Sequence, residues 1–388
     1  MPYLYFTKEE LEEKGAINTA MEIEGQPALW QEVYQHILFQ KNAINSFLSP
    51  ILAHPDLRII LTGAGSSAFI GEAAQGIVQV NTHCLTDAIA TTDLITHPHL
   101  YFMKQVPTLL VSFARSGNSP ESVAAVELAN EYCDAIFHLI ITCNREGALA
   151  QGKLNNGYCL VLPEKANDKS LAMTGSFTAM LLSVVLVSKI NYIEVMEPSL
   201  HVLINHGKEL LKKYLPLLKN IAEQPYERVI FLGSGPLLGV ARECHLKLQE
   251  LTDGKVICKH DSFLGFRHGP RAVTNEASLI VYLFSGDKHA YLYERDLCLS
   301  IDEDARCIPT LSYNKYSQTL KHSVLDISFI TPADTANELA FISATLTGQL
   351  LGFFHSLYLG LQPDNPSVSG VISRVVQGVV IYPEPAIA

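Results

Sequence analysis

Arg58-Ile59-Ile60-Leu61-Thr62-Gly63-Ala64-Gly65 is an apolar strand that runs into a Gly-x-Gly turn, and Ser66-Ser67-Ala68 opens a helix behind it. A run of consecutive apolar residues, with no polar alternation, is the pattern of a strand covered on both faces. The same construction returns 170 residues later as Arg228-Val229-Ile230-Phe231-Leu232-Gly233-Ser234-Gly235. Thr108-Leu109-Leu110-Val111-Ser112-Phe113 leads into Ser116-Gly117, and Leu279-Ile280-Val281-Tyr282-Leu283-Phe284 leads into Ser285-Gly286. Leu139-Ile140-Ile141-Thr142 stops at Asn144, and Pro309-Thr310-Leu311-Ser312 stops at Asn314. Three strand-to-loop junctions at nearly one offset read as a tandem duplication. Each half alternates buried strands with helical stretches. That is an α/β plan with a parallel sheet covered by helices on both faces, and ligands belong at the carboxyl ends of its strands.

Outward from these strands the chain divides into four parts. Residues 1–50 read as helical, with Thr7 and Glu10 as a capping box. Residues 51–199 form a first α/β domain, 200–222 a polar linking helix, and 223–388 a second α/β domain with a tail. The tail is loop-rich at Pro363, Pro366 and Gly370, then reads as a short strand over 375–382.

Composition sets bounds. The 388 residues are 48% hydrophobic and 17% charged, enough to bury a large core. The longest apolar run, Phe177 to Ile190, is interrupted by Ser183 and Ser188 and falls short of the roughly 20 residues a bilayer needs. The charged start Thr7-Lys8-Glu9-Glu10 does not resemble the apolar core of a secretory signal. A cytoplasmic protein with no membrane partner is expected. The net charge of −11 disfavours nucleic acid as a partner. None of the eight cysteines is in CxxC spacing, so they read as reduced, mostly buried thiols.

The chemistry should sit in the loops. Gly63-Ala64-Gly65-Ser66-Ser67-Ala68 fits the loose dinucleotide pattern, with Asp87 available as a ribose-binding acid, but its two hydroxyls are not what a pyrophosphate cradle requires. Ala114-Arg115-Ser116-Gly117-Asn118-Ser119-Pro120-Glu121 is a second hydroxyl-rich loop opening a helix. Backbone N–H groups at a helix start, joined by serine hydroxyls, suit a phosphate dianion. Ser119 also reads as the N-cap of a helix with Pro120 at N1. No Gly-Lys-Ser/Thr is present, so a Walker-type site is unsupported. In the second half Glu243, Lys247 and Glu250 share one helical face, which periodicity alone reads as a solvated ion-pair stripe. Gly265-Phe266-Arg267-His268-Gly269-Pro270-Arg271 is a rigid turn presenting an imidazole.

Five of these segments, in order, resemble the isomerase half of glucosamine-6-phosphate synthase, a tandem sugar-isomerase (SIS) protein. Glu22-Ile23-Glu24-Gly25-Gln26-Pro27 is similar to its Glu-Ile-x-x-Gln-Pro segment. Gly65-Ser66-Ser67 stands for Gly-Thr-Ser, and Arg115-Ser116-Gly117-Asn118-Ser119 for Gln-Ser-Gly-Glu-Thr. Lys247-Leu248-Gln249-Glu250 stands for Lys-Leu-Lys-Glu, and Arg267-His268-Gly269-Pro270 for Lys-His-Gly-Pro. The tail from Asp364 to Gly378 resembles the bacterial galactosamine-6-phosphate deaminase/isomerase group. It offers no match to the synthase's Schiff-base lysine; Arg374 lies nearby, and an arginine does not form that imine at neutral pH. Ala114 replaces a phosphate-contacting serine of the synthase, with Arg115 beside it to supply charge.

The resemblance implies two tandem SIS domains, each a parallel flavodoxin-like sheet flanked by helices on both faces. It implies a sugar phosphate substrate held at Gly65, Ser66, Ser67, Arg115, Ser116, Gly117, Asn118 and Ser119, with Arg374 as a tail contact. D-galactosamine 6-phosphate would become D-tagatose 6-phosphate and ammonia through an enolamine. His268 would open the ring, Glu250 would carry a proton from C2 to C1, and Lys247 would stabilise developing charge. No metal and no redox cofactor is required. The active site is expected to be composite, with His268 coming from the other subunit of a homodimer. The alternatives are an aldose–ketose isomerase of a neutral sugar 6-phosphate and a non-enzymatic sugar-phosphate-binding regulator.

Overall fold

The computed structural model describes residues 2–314, 320–329, 337–376 and 378–382. The strands are β1 (Arg58–Thr62), β2 (Leu85–Ala88), β3 (Thr108–Ala114), β4 (Ile136–Thr142), β5 (Gly157–Val161), β6 (Arg228–Gly233), β7 (Ile257–Asp261), β8 (Ser278–Leu283), β9 (Thr310–Asn314) and β10 (Ser323–Ser328). They form two five-stranded sheets, β2-β1-β3-β4-β5 and β10-β9-β8-β6-β7. Every pairing between these strands is parallel. Counted within its own half, each sheet has the order 2-1-3-4-5, the flavodoxin-like arrangement.

The helices that frame the sheets repeat as well. Those of the first half are α1 (Gln26–Phe39), α2 (Ser66–Thr82), α3 (Pro120–Tyr132) and α4 (Gly175–Ser188). Their counterparts are α5 (Glu197–Glu209), α6 (Pro236–Leu251), α7 (Lys288–Asp302) and α8 (Thr345–Tyr358). The duplication therefore covers nearly the whole chain. The segment 200–222 falls in α5 and its helical continuation to Ala222; it buries Leu200, Leu203, Leu210 and Leu218.

Continuous apolar strands need two cores, one per face, and the structure supplies both. Ile59, Leu61, Leu109 and Val111 join a core shared with Val229, Phe231, Leu279 and Val281 of the other sheet. Ile60 and Leu110 face a separate cluster with Ala125 and Ala129 of α3, and Ile230 and Ile280 face one with Leu297 and Ile301 of α7. The apolar run at Phe177 is α4, buried on every side from Gly175 to Val187. A buried polar chain ties the helices together at its start. The Trp30 indole N–H donates to Thr178 Oγ1 at 3.0 Å, Thr178 Oγ1 donates to Gln26 Oε1 at 2.8 Å, and Gln26 Nε2 donates to Gln349 Oε1 at 2.6 Å. This explains Gln26 of the Glu22–Pro27 segment: its amide joins α1, α4 and α8. Each buried amide left without a partner would cost about 1–3 kcal/mol.

The two halves meet where α2 crosses α6. A Cβ added at Gly239 would lie 2.4 Å from the Ala73 backbone nitrogen, so only glycine allows this approach. The capping box at Thr7 and Glu10 forms as read. The strand expected over 375–382 is absent among the described residues, which carry no regular structure there; Gln377 lies outside them. A strand needs a ladder partner for its backbone groups, and neither sheet pairs with this segment. Among the described residues no single helix is long and apolar enough to cross a membrane.

Candidate active site

Gly65 has φ +57° and ψ −129°, a conformation essentially restricted to glycine. The turn it makes carries the chain from β1 into α2. Gly235, between β6 and α6, has φ +56° and ψ −129°. The duplicated loops are thus the same backbone device with different side chains. In the first, Ser66 and Ser67 begin α2, where among the described residues no side chain caps the helix. Beside it, the β3 loop is pinned from within. Asn118 N–H donates to Ser116 Oγ at 3.3 Å, Asn118 Oδ1 accepts from Ala148 N–H at 2.9 Å, and Asn144 Nδ2 donates to the Ser116 carbonyl at 2.8 Å. Ser119 caps α3 by accepting from Ser122 N–H at 3.2 Å. Two helix starts with four serines on adjacent parallel strands make a cradle for a dianion.

The opposite wall is α6 of the other half. Glu243, Lys247 and Glu250 lie on one face of it. Ser66 Oγ donates to Glu243 Oε1 at 3.1 Å, and Lys247 Nζ lies 3.5 Å from the same carboxylate. Lys247 also pairs with Glu250. This is not the solvated stripe that periodicity suggested: the Lys247 and Glu243 side chains are 1% and 0% exposed, and Glu250 is 22% exposed. The face meets α2 rather than water, which spacing along one helix does not reveal.

Burial acts to lower the Lys247 pKa, but Glu243 and Glu250 outweigh it and the net shift is upward. Burial pushes the Glu243 carboxyl up to about 8, with Lys247 opposing and Glu250 adding to the rise. At neutral pH the cluster therefore holds a charged ammonium and a protonated Glu243. On its other side Lys247 faces Glu250, whose side chain is partly exposed.

The resemblance-based residues divide in their placement. Ser66 meets α6 at Glu243, Lys247 and Glu250 pair on that same helix face, and Arg115 is close enough to feel the Glu250 charge. The Arg115 guanidinium, however, is committed to the chain. It donates to the carbonyls of Ser170 and Leu171 at 3.2 and 3.0 Å and to that of Arg374 at 2.6 Å. Arg374 in turn donates to the Asp168 carbonyl and to Asn167 Oδ1. Both arginines anchor the loop 167–174 and the tail, while Arg115 keeps its charge beside the cradle. Asp87, the candidate ribose acid, is paired with Arg58 at 2.7 Å. His268 is exposed just after the short helical turn Phe263–Phe266, and its neighbours Arg267 and Arg271 pair with Asp296 and Asp304.

Sequence reading missed the loop 167–174. Glu22 accepts from Lys169 N–H at 2.5 Å and Ser170 N–H at 3.2 Å. Asp168 accepts from Thr174 and Ser176 N–H at 2.8 and 2.9 Å. Burial, reinforced by Asp168, pushes Glu22 up to about 7. Met173 Sδ lies 3.9 Å from Ser67 Oγ, so this loop is a third side of the cradle. The signal was present as Ser170, Thr174 and Ser176 just ahead of the apolar run.

Comparison with known proteins places the arrangement. The SIS domain model matches residues 51–189. D-galactosamine-6-phosphate deaminase AgaS of Shewanella sp. (strain ANA-3) is 39% identical over 98% of this chain and 95% of its own length. The crystal structure of tagatose-6-phosphate ketose/aldose isomerase from Escherichia coli superposes with a TM-score of 0.85 at 34% identity, covering 94% of this chain and 96% of that one. The C-terminal domain of glucosamine-fructose-6-phosphate aminotransferase from Francisella tularensis shares the fold, with a TM-score of 0.71 at 17% identity over 88% of this chain and 96% of that one.

Proposed function

The chain belongs to the SIS-domain family, and from that membership and its site we propose that it deaminates and isomerises D-galactosamine 6-phosphate to D-tagatose 6-phosphate and ammonia. The observation that carries this is the partly exposed Glu250 held against the buried Lys247 ammonium, on the helix face whose Glu243 meets Ser66 of the other half. A phosphate takes hydrogen bonds from the helix starts at Ser66 and Ser119 and from the hydroxyls of Ser67 and Ser116. That fixes C1 and C2 of the opened sugar against α6. Glu250 removes the C2 proton to give an enolamine and returns it to C1, leaving an imine at C2. Lys247 stabilises the negative charge that develops on the sugar oxygen. Water adds to the imine carbon, and the C–N bond breaks to release ammonia and the ketose. The relatives named for deaminase and for isomerase activity fit the two stages of this sequence.

Ring opening needs a group that takes and gives a proton near neutrality, which suits His268. Its exposed position supports its delivery by a second copy of the chain, so the working unit of this reading is a homodimer with a composite site. The eight cysteines stand as free thiols, as a reducing cytoplasm keeps them. A panel of hexosamine and hexose 6-phosphates, assayed separately for ammonia and for ketose, tests the reading. Ammonia release in step with ketose from galactosamine 6-phosphate is expected; ketose from neutral aldose phosphates with no ammonia from any hexosamine would overturn it.

A further inference from the structure

The duplication gives the fold a second cavity in the position that mirrors the first. It has a volume of about 720 Å³ and lies at the carboxyl ends of the second sheet, between the loops after β6 and β8 and the side of α2. In the first site α6 presents Lys247 and Glu250; the residues 170 positions earlier on α2 are Ile77 and Val80, and both line this cavity. No acid–base pair faces it from α2. The loop equivalents have changed in a consistent direction. Where the first half has Ser66 and Ser67, the second has Pro236 and Leu237, so two hydroxyls and one N–H donor are gone.

The second loop has gained negative charge where the first bears serines. Asp287 takes the N-cap place of Ser119, and its Oδ1 accepts from His289 and Ala290 N–H at 2.8 Å each. The Ser285 N–H donates to Glu294 Oε2 at 3.0 Å. Donors that would hold a phosphate are thus consumed by the protein's own carboxylates. Of the other charged side chains on the wall, Lys189 and Glu338 pair with each other. Phe284, Phe329 and Phe341 line it, with the Phe329 ring stacked on His206 at 4.0 Å. A wall with two carboxylates, only one of them paired with a lysine, and several aromatic rings favours a cation and repels a dianion.

We infer that this cavity is a non-catalytic binding site for an unphosphorylated amino sugar, its ammonium set against Asp287 and its ring against the phenylalanines. The inference goes beyond the proposed reaction and stands on the mirrored geometry and charge of the second half. It would let the chain sense the unphosphorylated relative of its substrate without turning it over.

Gly76 provides the blocking variant. It lines the cavity, and a Cβ built there meets nothing within 4 Å, so Gly76→Phe fills the space without displacing the helix. The test titrates D-galactosamine and D-galactose into wild type, Gly76→Phe and Asp287→Asn by calorimetry, with melting temperature as the check on folding. Saturable galactosamine binding to wild type is expected, weakened about tenfold or more in Gly76→Phe. In Asp287→Asn the loss of a charge-assisted contact should weaken galactosamine by about tenfold while leaving galactose unchanged. Turnover of galactosamine 6-phosphate should be unaffected in both variants. No saturable binding of galactosamine to wild type would overturn the inference. Equal affinity in wild type and folded Gly76→Phe would also overturn it, by placing the amino sugar in the serine cradle.

Discussion

Glu250→Gln separates the two carboxylates that flank one ammonium. The substitution keeps the side chain's size and a hydrogen-bond acceptor for Lys247 but removes the basic oxygen. Lys247 remains buried and retains Glu243 at 3.5 Å. What is lost structurally is the difference between a charge-assisted and a neutral hydrogen bond, about 1–2 kcal/mol, in a side chain 22% exposed. That corresponds to a fall of a few degrees in Tm. What is lost chemically is general base catalysis, about 10²- to 10⁴-fold in rate, or roughly 3–5 kcal/mol of barrier. Glu243→Gln is the control on the same helix. Because Glu243 holds its proton up to about pH 8, glutamine mimics its neutral form, and turnover at pH 7 should change by less than about tenfold. The assay follows C2–H exchange in deuterium oxide by NMR beside ammonia release. Glu250→Gln should lose both, with the substrate still bound. Unchanged C2 exchange in Glu250→Gln would refute its role as the base, and a larger loss in Glu243→Gln would move that role two turns back along α6.

Three further outcomes are expected. Ser116→Ala and Ser119→Ala together should raise KM for the sugar phosphate by about tenfold or more with Tm nearly unchanged, since each hydrogen bond to a charged group is worth about 1.5–3 kcal/mol; an unaltered KM would take the phosphate out of this cradle. Mixing inactive His268→Asn and Glu250→Gln proteins under subunit exchange should restore about a quarter of wild-type activity, because half the dimers are hybrid and each hybrid has one intact composite site; a monomer by light scattering, or no recovery despite exchange, would refute the shared site. For Glu243 the folded pKa of about 8 lies above its ordinary value of 4.5, so the native state holds the proton more tightly and stability declines as pH rises from about 4.5 to 8; urea midpoints of Glu243→Gln should lose that part of the decline, and identical pH profiles would show that Glu243 is ionised in the native state.

The sequence by itself determined the doubled α/β plan. Uninterrupted apolar runs such as Ile59–Leu61 and Ile230–Leu232 have no polar face to leave in water, so each sheet had to be covered twice, and the common 170-residue offset made one half the copy of the other. Local chemistry was legible wherever its partners are neighbours in the chain: Thr7 with Glu10, Ser119 with Ser122, Gly65 in its turn. Tertiary structure decided everything that depends on what a face meets. Lys247 and Glu250 are three apart in any helix, but only the crossing of α6 over α2, permitted at Gly239, removes Lys247 from water and raises Glu243. Arg115 reads as an anion contact until the carbonyls of Ser170, Leu171 and Arg374 are found around it. The segment 375–382 has strand-like residues but no ladder to join. Periodicity reports which residues share a surface; the dielectric and the partners that surface encounters come from segments more than a hundred residues away, and those set the charges that chemistry uses.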